Sequence, residues 1–152
     1  MKLAILSDTH GLLRPQVRER LKTVDAILHA GDINKQAIVD ELERYAPAYF
    51  VRGNNDKDWA RDIPPARTVT LAGAKFYLVH NKRDVPEQLT GIDAVVYGHS
   101  HQYAVGEKDG VLWLNPGSCG PRRFHQEITM MLAQVEAGRI RVEKITIPHP
   151  AI

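Results

Sequence analysis

The chain has 152 residues, 43% hydrophobic and 25% charged, enough apolar material for one domain (1–152) with its own core. Its 20 basic and 18 acidic residues leave a formal charge of +2, too mild to argue for nucleic-acid or membrane-surface binding. Cys119 is the only cysteine, which excludes an internal disulfide and a cysteine-based zinc cluster.

At the amino terminus a short apolar run meets Asp8, too soon for a signal peptide or a spanning helix, so the expected location is cytoplasmic. Residues 2–7 (KLAILS) predict a buried strand, and residues 14–23 a helix with Pro15 in its first turn. Residues 25–30 (DAILHA) predict a second buried strand, 35–45 an amphipathic helix, and 48–53 (AYFVRG) a third strand. Two βα alternations followed by a strand argue for a mostly parallel sheet. Residues 67–80 then read as two strands around a Gly-Ala turn, with a helical signal over 84–90 and an apolar strand over 94–97. Residues 101–115 repeat the hairpin plan around Asp109-Gly110, and 128–147 form a third hairpin turning near Gly138. The expected architecture is an α/β sheet packed on a more antiparallel one.

Side chains able to hold a metal ion fall at particular places on this map. Asp8 and His10 end the first strand, Asp32 follows Gly31 after the second, and Asn54 follows Gly53 after the third. His80 closes the 67–80 hairpin, and His99 and His101 follow the strand at 94–97. In an extended chain residues two apart point the same way, so His99 and His101 are expected to face one spot. A lone Asp or His at a strand end is usually a cap or turn residue. Seven at five successive strand ends are harder to assign to independent turns, and ligands of open α/β sheets gather at such ends. His29, inside a strand, reads as a hydrogen-bonded core histidine, and His125 and His149 as surface residues.

The ordered segments SDTH (7–10), HAGDI (29–33), RGNND (52–56), LVH (78–80), GHSH (98–101) and NPGS (115–118) resemble the motifs of the calcineurin-like metallophosphoesterase superfamily. The length resembles its small prokaryotic phosphodiesterase branch. The resemblance implies a four-layer α/β/β/α sandwich of two mixed sheets with flanking helices. It also implies two divalent metal ions, with Asp8, His10 and His101 on one, Asn54, His80 and His99 on the other, and Asp32 bridging. Asp32, Asn54 and His80 are the residues expected nearest the reaction. Imidazoles with carboxylate and amide oxygens suit Mn²⁺, the first expectation, or Fe, Ni or Zn. Two such ions, with charge to spare over two carboxylates and a hydroxide, attract a phosphate ester; the bridging hydroxide would attack phosphorus, the ions lying roughly 3.5–4 Å apart.

Two departures from the family pattern stand out. Many members carry a proton-donating histidine after the ligand asparagine; here Asn55 stands there and cannot act as a general acid. Asp56 is expected to hold the loop or a ligand histidine rather than replace that acid. After His80 the family's glycine is replaced by Asn81, which tolerates a left-handed backbone and could preserve the turn. Lys82 and Arg83 would then lie near the site's rim, gripping a second phosphate or nucleotide or simply forming a solvated turn. Asn115 and Ser118 are expected to order the turn behind the metals, Arg122 and Arg123 are within possible reach of phosphate, and Cys119 is a buried small residue. The expected substrate is a small phosphodiester, with monoesters the alternative. A retromer-subunit-like interaction scaffold with a vestigial metal site is a further alternative, and self-association is left open.

Overall fold

Leu3, Ala4, Ile5 and Leu6 are fully buried in β1 (Lys2–Leu6), because this strand has a sheet neighbour on each side and a packed layer on each face. A computed structural model gives this arrangement and describes residues 1–122 and 126–148. Strand alternation sends Leu3 and Ile5 into the space between two sheets, and Ala4 and Leu6 toward two helices. The helices, α1 (Pro15–Leu21) and α2 (Gln36–Tyr45), cover that outer face with Val17 and Leu21, and with Ile38, Val39 and Leu42. Pro15 opens α1, where a missing N–H costs nothing.

β1 pairs in parallel with β2 (Ala26–His29), which pairs in parallel with β3 (Ala48–Phe50). The second sheet runs β4 (Ala66–Leu71), β5 (Ala74–Val79), β6 (Ala94–Val96), β8 (Val111–Asn115), β7 (Ala104–Lys108). Both sheets have five strands and both are mixed. The C-terminal hairpin, β9 (Ile128–Glu136) and β10 (Arg139–Ile147), joins the first sheet by antiparallel pairing with β1, rather than adding to the second. Phe76, Leu78, Val96 and Leu114 meet Leu3, Ile5, Leu28 and Met131 in the core between the sheets.

No helix forms over 84–90. Pro86 biases Val85 away from helical backbone, and Val85 is extended (φ −74°, ψ 131°), so only a 3-10 turn at Lys82–Asp84 remains. Val85, Leu89 and Ile92 still pack on Val79, Val95 and Tyr97, so this segment covers the outer face of the second sheet as irregular chain. Among the described residues no helix is long and apolar enough to cross a membrane.

Candidate metal centre

The loops leaving β1 and β2 are tied together beyond the ends of their strands. Asp8 N donates to Gly31 O (2.9 Å) and His10 N to Asp32 O (3.0 Å), which sets the two acidic residues side by side. Asp8, His10 and Asp32 all have positive φ (55°, 45° and 57°), as do His99 (74°) and His101 (62°). His99 and His101 are therefore not aimed by extended-chain alternation: each left-handed residue redirects its own side chain, and the two rings part. His101 lies with His10, ring centroids 5.4 Å apart, and His99 meets His80 edge-on at 5.3 Å.

Two groups of possible metal ligands result, Asp8–His10–His101 and Asp8–Asp32–His80. His101 Nε2 is 3.3 Å and His10 Nε2 3.7 Å from Asp8 Oδ1, and His80 Nε2 is 3.3 Å from Asp32 Oδ2. Asp8 shares both groups, placed there by Ser7 Oγ, which donates to Asp8 Oδ2 (2.6 Å), and by His99 N, which donates to the same oxygen (3.1 Å). Asp32 lies between His10 and His80, and Asn55 holds it with two donors, N to Oδ1 (2.9 Å) and Nδ2 to Oδ2 (3.1 Å). Asn54 is exposed, its backbone carbonyl accepting from Lys57 Nζ (2.9 Å), and its side chain makes no hydrogen bond among the described residues. His99 is likewise exposed, joined to the cluster through His80.

Close packing leaves no freedom behind the carboxylates. A Cβ on Gly98 would overlap Ser7 Oγ and lie 2.7 Å from Asp8 Oδ2, and one on Gly53 would overlap Asp32 Oδ1.

Burial raises the cost of charge on Asp8, yet the imidazoles of His10, His101 and His80 hold its carboxyl far below the usual range. Burial acts on Asp32 in the same sense, and His80 and the Asn55 amide overcome it to lower its pKa. For His80 burial disfavours the cation, but Asp32 and Asp8 win and raise it. The cluster thus favours carboxylate anions and draws positive charge. Three of its buried atoms, Asp8 Oδ1, His10 Nε2 and His80 Nε2, have no hydrogen-bond partner although native structures rarely leave such groups unmet. His80 Nδ1 lies 2.8 Å from Ala30 O, which can only accept, so the proton is on Nδ1 in the neutral ring and the Nε2 lone pair faces the carboxylates. The donor set fits divalent cations.

Around this cluster the other expectations resolve. Asp56 accepts from Ile33 N (3.0 Å), Asn34 N (2.8 Å) and Gly53 N (2.9 Å), so it ties the second and third loops together. Asn115 Nδ2 donates to Gly98 O (3.3 Å) and Ser100 Oγ (3.1 Å), and Ser118 Oγ donates to Asp8 O (3.0 Å), which braces the loops behind the carboxylates. Asn81 is not left-handed. It is extended (φ −113°), and its side chain accepts from Arg83 N (3.0 Å), capping the short turn that replaces the glycine. His29 is fully buried between Thr9 Oγ1 (3.1 Å) and Gly31 N (3.0 Å), and burial pushes its pKa down to about 4. Cys119 is buried and its thiol pushed up to about 12, too high for a nucleophile. Arg122 Nε donates to Gln126 O (3.2 Å); Arg123, His125 and His149 lie outside the described residues. Sequence reasoning gave no role to Ser7 or to the Asn55 side chain, although both adjoin predicted ligands.

A family model described as "Calcineurin-like phosphoesterase superfamily domain" matches residues 1–138. A phosphodiesterase of Methanocaldococcus jannaschii is 31% identical over 141 residues, covering 78% of this chain and 84% of that protein. A solved archaeal phosphodiesterase superposes with a TM-score of 0.76 at 28% identity, covering 97% of this chain and all of the other. Vps29 of Chaetomium thermophilum superposes with a TM-score of 0.78 over 99% of this chain and 100% of that one; at 19% identity that likeness concerns the fold alone.

Proposed function

We infer the chemistry from one premise: the chain belongs to the calcineurin-like phosphoesterase superfamily. Its family makes it a metallophosphoesterase, and its two Asp/His groups are consistent with a dinuclear metal site. We propose that it is a phosphodiesterase in which Asp8, His10 and His101 hold one divalent ion, Asn54, His80 and His99 hold the other, and Asp32 bridges them. The observation that carries the reading is the set of buried, unpartnered atoms Asp8 Oδ1, His10 Nε2 and His80 Nε2, which an ion would satisfy. Mn²⁺ is the first candidate for the pair.

When bound, such a pair supplies positive charge for the phosphoryl oxygens and acidity for a water nucleophile. The chain's own residues do the aiming. Ser7 and the His99 amide occupy Asp8 Oδ2 and leave Oδ1 to point inward, while Ala30 O fixes the tautomer of His80. Asn55 spends its side chain on Asp32 and supplies no proton to a leaving group. Esters with acidic leaving groups are therefore the best substrates of this site. Diesters are placed before monoesters because the Methanocaldococcus jannaschii relative carries that activity in its name. A scaffold role needs no ligand set, whereas this chain retains all seven side chains of one.

Chelator-treated protein should lose hydrolysis of bis(4-nitrophenyl) phosphate and regain it with Mn²⁺. Elemental analysis of the reloaded protein should give about two ions per chain. Full activity in a verified metal-free sample overturns the proposal, and faster turnover of the nitrophenyl monoester would reassign it as a monoesterase.

A further inference from the structure

Beside the carboxylate–imidazole cluster lies a groove of about 480 Å³. His99 lines it and also meets His80 in the cluster, so the groove continues directly from the site where a phosphoryl group would react. Lys82 and Arg83 line the groove as well, and no aspartate or glutamate does. Asp84, the next residue on the same turn, and Glu87 further along stay out of the lining.

Both cations are exposed, and among the described residues neither has a carboxylate within ion-pair distance. Their backbone is nonetheless fixed. Asn81 caps the turn through Arg83 N (3.0 Å), and Asp84 N returns to Asn81 O (3.0 Å). Lys82 Nζ lies over the Tyr97 ring, 6.0 Å from its centroid, and Tyr97 also lines the groove. Gln102 is also among the lining residues. Two unpaired cations held in a polar groove without carboxylates form a receptor for an anion, and an arginine fork suits the oxygens of a phosphate.

We propose that this groove is a second phosphate subsite, and that the substrates are phosphodiesters with one ester arm bearing a further phosphate. The scissile diester lies at the metal cluster, and Lys82 and Arg83 hold the second phosphate in the groove. This rests on the phosphodiesterase reading above. The remote phosphate keeps its charge throughout the reaction, so its binding lowers KM more than it raises kcat.

The test uses Mn²⁺-loaded protein and three matched substrates: dithymidine monophosphate alone, with a 5′-terminal phosphate, and with a 3′-terminal phosphate. One phosphorylated form should exceed the unphosphorylated one by about tenfold or more in kcat/KM, carried by KM, as charge-assisted hydrogen bonds of this kind are worth. The double substitution Lys82→Gln, Arg83→Gln should bring the ratio toward one, and Lys22→Gln, at the far end of α1, should leave it as it is. A second readout needs no catalysis: chelator-treated protein titrated calorimetrically with thymidine 3′,5′-bisphosphate should bind it about tenfold more weakly in the double variant. If the loaded protein cleaves no ester but this binding depends on Lys82 and Arg83, the subsite stands and the phosphodiesterase reading falls. If esters are cleaved with a ratio near one in the parent, or if the ratio or the bisphosphate affinity survives the double substitution, the subsite is overturned.

Discussion

Two ends of the molecule use the same unusual backbone for opposite purposes. Among the described residues nine non-glycine positions have positive φ. Three of them, Ala72, Asp109 and Ala137, sit at hairpin tips, each followed by a glycine that is also left-handed. Two successive left-handed residues make the tight turn whose twist matches that of the flanking strands, so at the tips the backbone path is the purpose. The other six are Asp8, His10, Asp32, Asn34, His99 and His101, in the loops that form the site. At the five of these that are candidate ligands, all but Asn34, the path serves the side chains. A left-handed non-glycine residue costs on the order of 1–3 kcal/mol at such sites. The bonds Asp8 N to Gly31 O, His10 N to Asp32 O and His99 N to Asp8 Oδ2 offset that cost. The contrast teaches that a strained conformation marks function only where it aims something.

The contrast breaks most violently at Gly98. Gly98→Ala drives a methyl group into Ser7 Oγ and against Asp8 Oδ2, turning the carboxylate without removing any ligand. Diester hydrolysis should fall by more than about 10²-fold, as for other lost electrostatic stabilisers, and metal affinity by about 10–100-fold. Near-parental kcat and metal content in this variant would show that aim is not what the strained loops supply.

A smaller effect separates a buried histidine that supports the loops from those that line the site. His29 has its pKa lowered to about 4 from a reference of 6.5, so the native state holds the ring neutral while the unfolded chain takes up a proton. Stability from this residue is complete above about pH 6.5 and is lost as the pH falls toward about 4. His29→Gln should lower the neutral-pH melting temperature but flatten its decline across that window, and it should change turnover less than stability. Melting curves at pH 7.5, 6 and 5 for both proteins check the sign; parallel declines would remove His29 as the source. The smallest change lies at a hairpin tip: Ala137→Asn, at an exposed residue whose φ of 50° asparagine tolerates well, should raise stability by about 0.5 kcal/mol and leave diester turnover alone. Denaturant titration resolves it, and a loss of stability would mean that the tip, too, depends on its side chain.

The strands were readable because burial on both faces leaves nearly continuous apolar runs, as in β1, and because Asp109-Gly110 is a turn by its own chemistry. The helix expected over 84–90 failed on one residue, Pro86, whose effect on Val85 outweighs the helical preference of its neighbours. The partnership of β9 with β1 is set by a core that no local pattern records. At the site, strand-end placement brought out the acidic and imidazole residues. The alternation argument for His99 and His101 sent both rings to one spot, whereas positive φ at each of them parts the rings, His101 toward His10 and His99 toward His80. Asn81 failed similarly: its side chain, not a left-handed backbone, makes the turn. Such dihedral choices depend on distant hydrogen bonds such as His99 N to Asp8 Oδ2, and a linear reading does not reach them.

The pairing of the first strand with the ninth also sets an order of events. Ile5 pairs with Met131 and Met1 N with Val135 O, so β1 gains its second neighbour only after β9, more than a hundred residues later, has left the ribosome. Asp8 hangs from the end of that strand, and Ser118, which donates to its carbonyl, comes only shortly before β9. Contacts this far apart in sequence carry a large loop-closure cost and slow the final step of folding. A nascent chain can thus assemble β1, β2 and β3 with their two helices early, while the carboxylate at the centre of the site acquires its fixed position among the last.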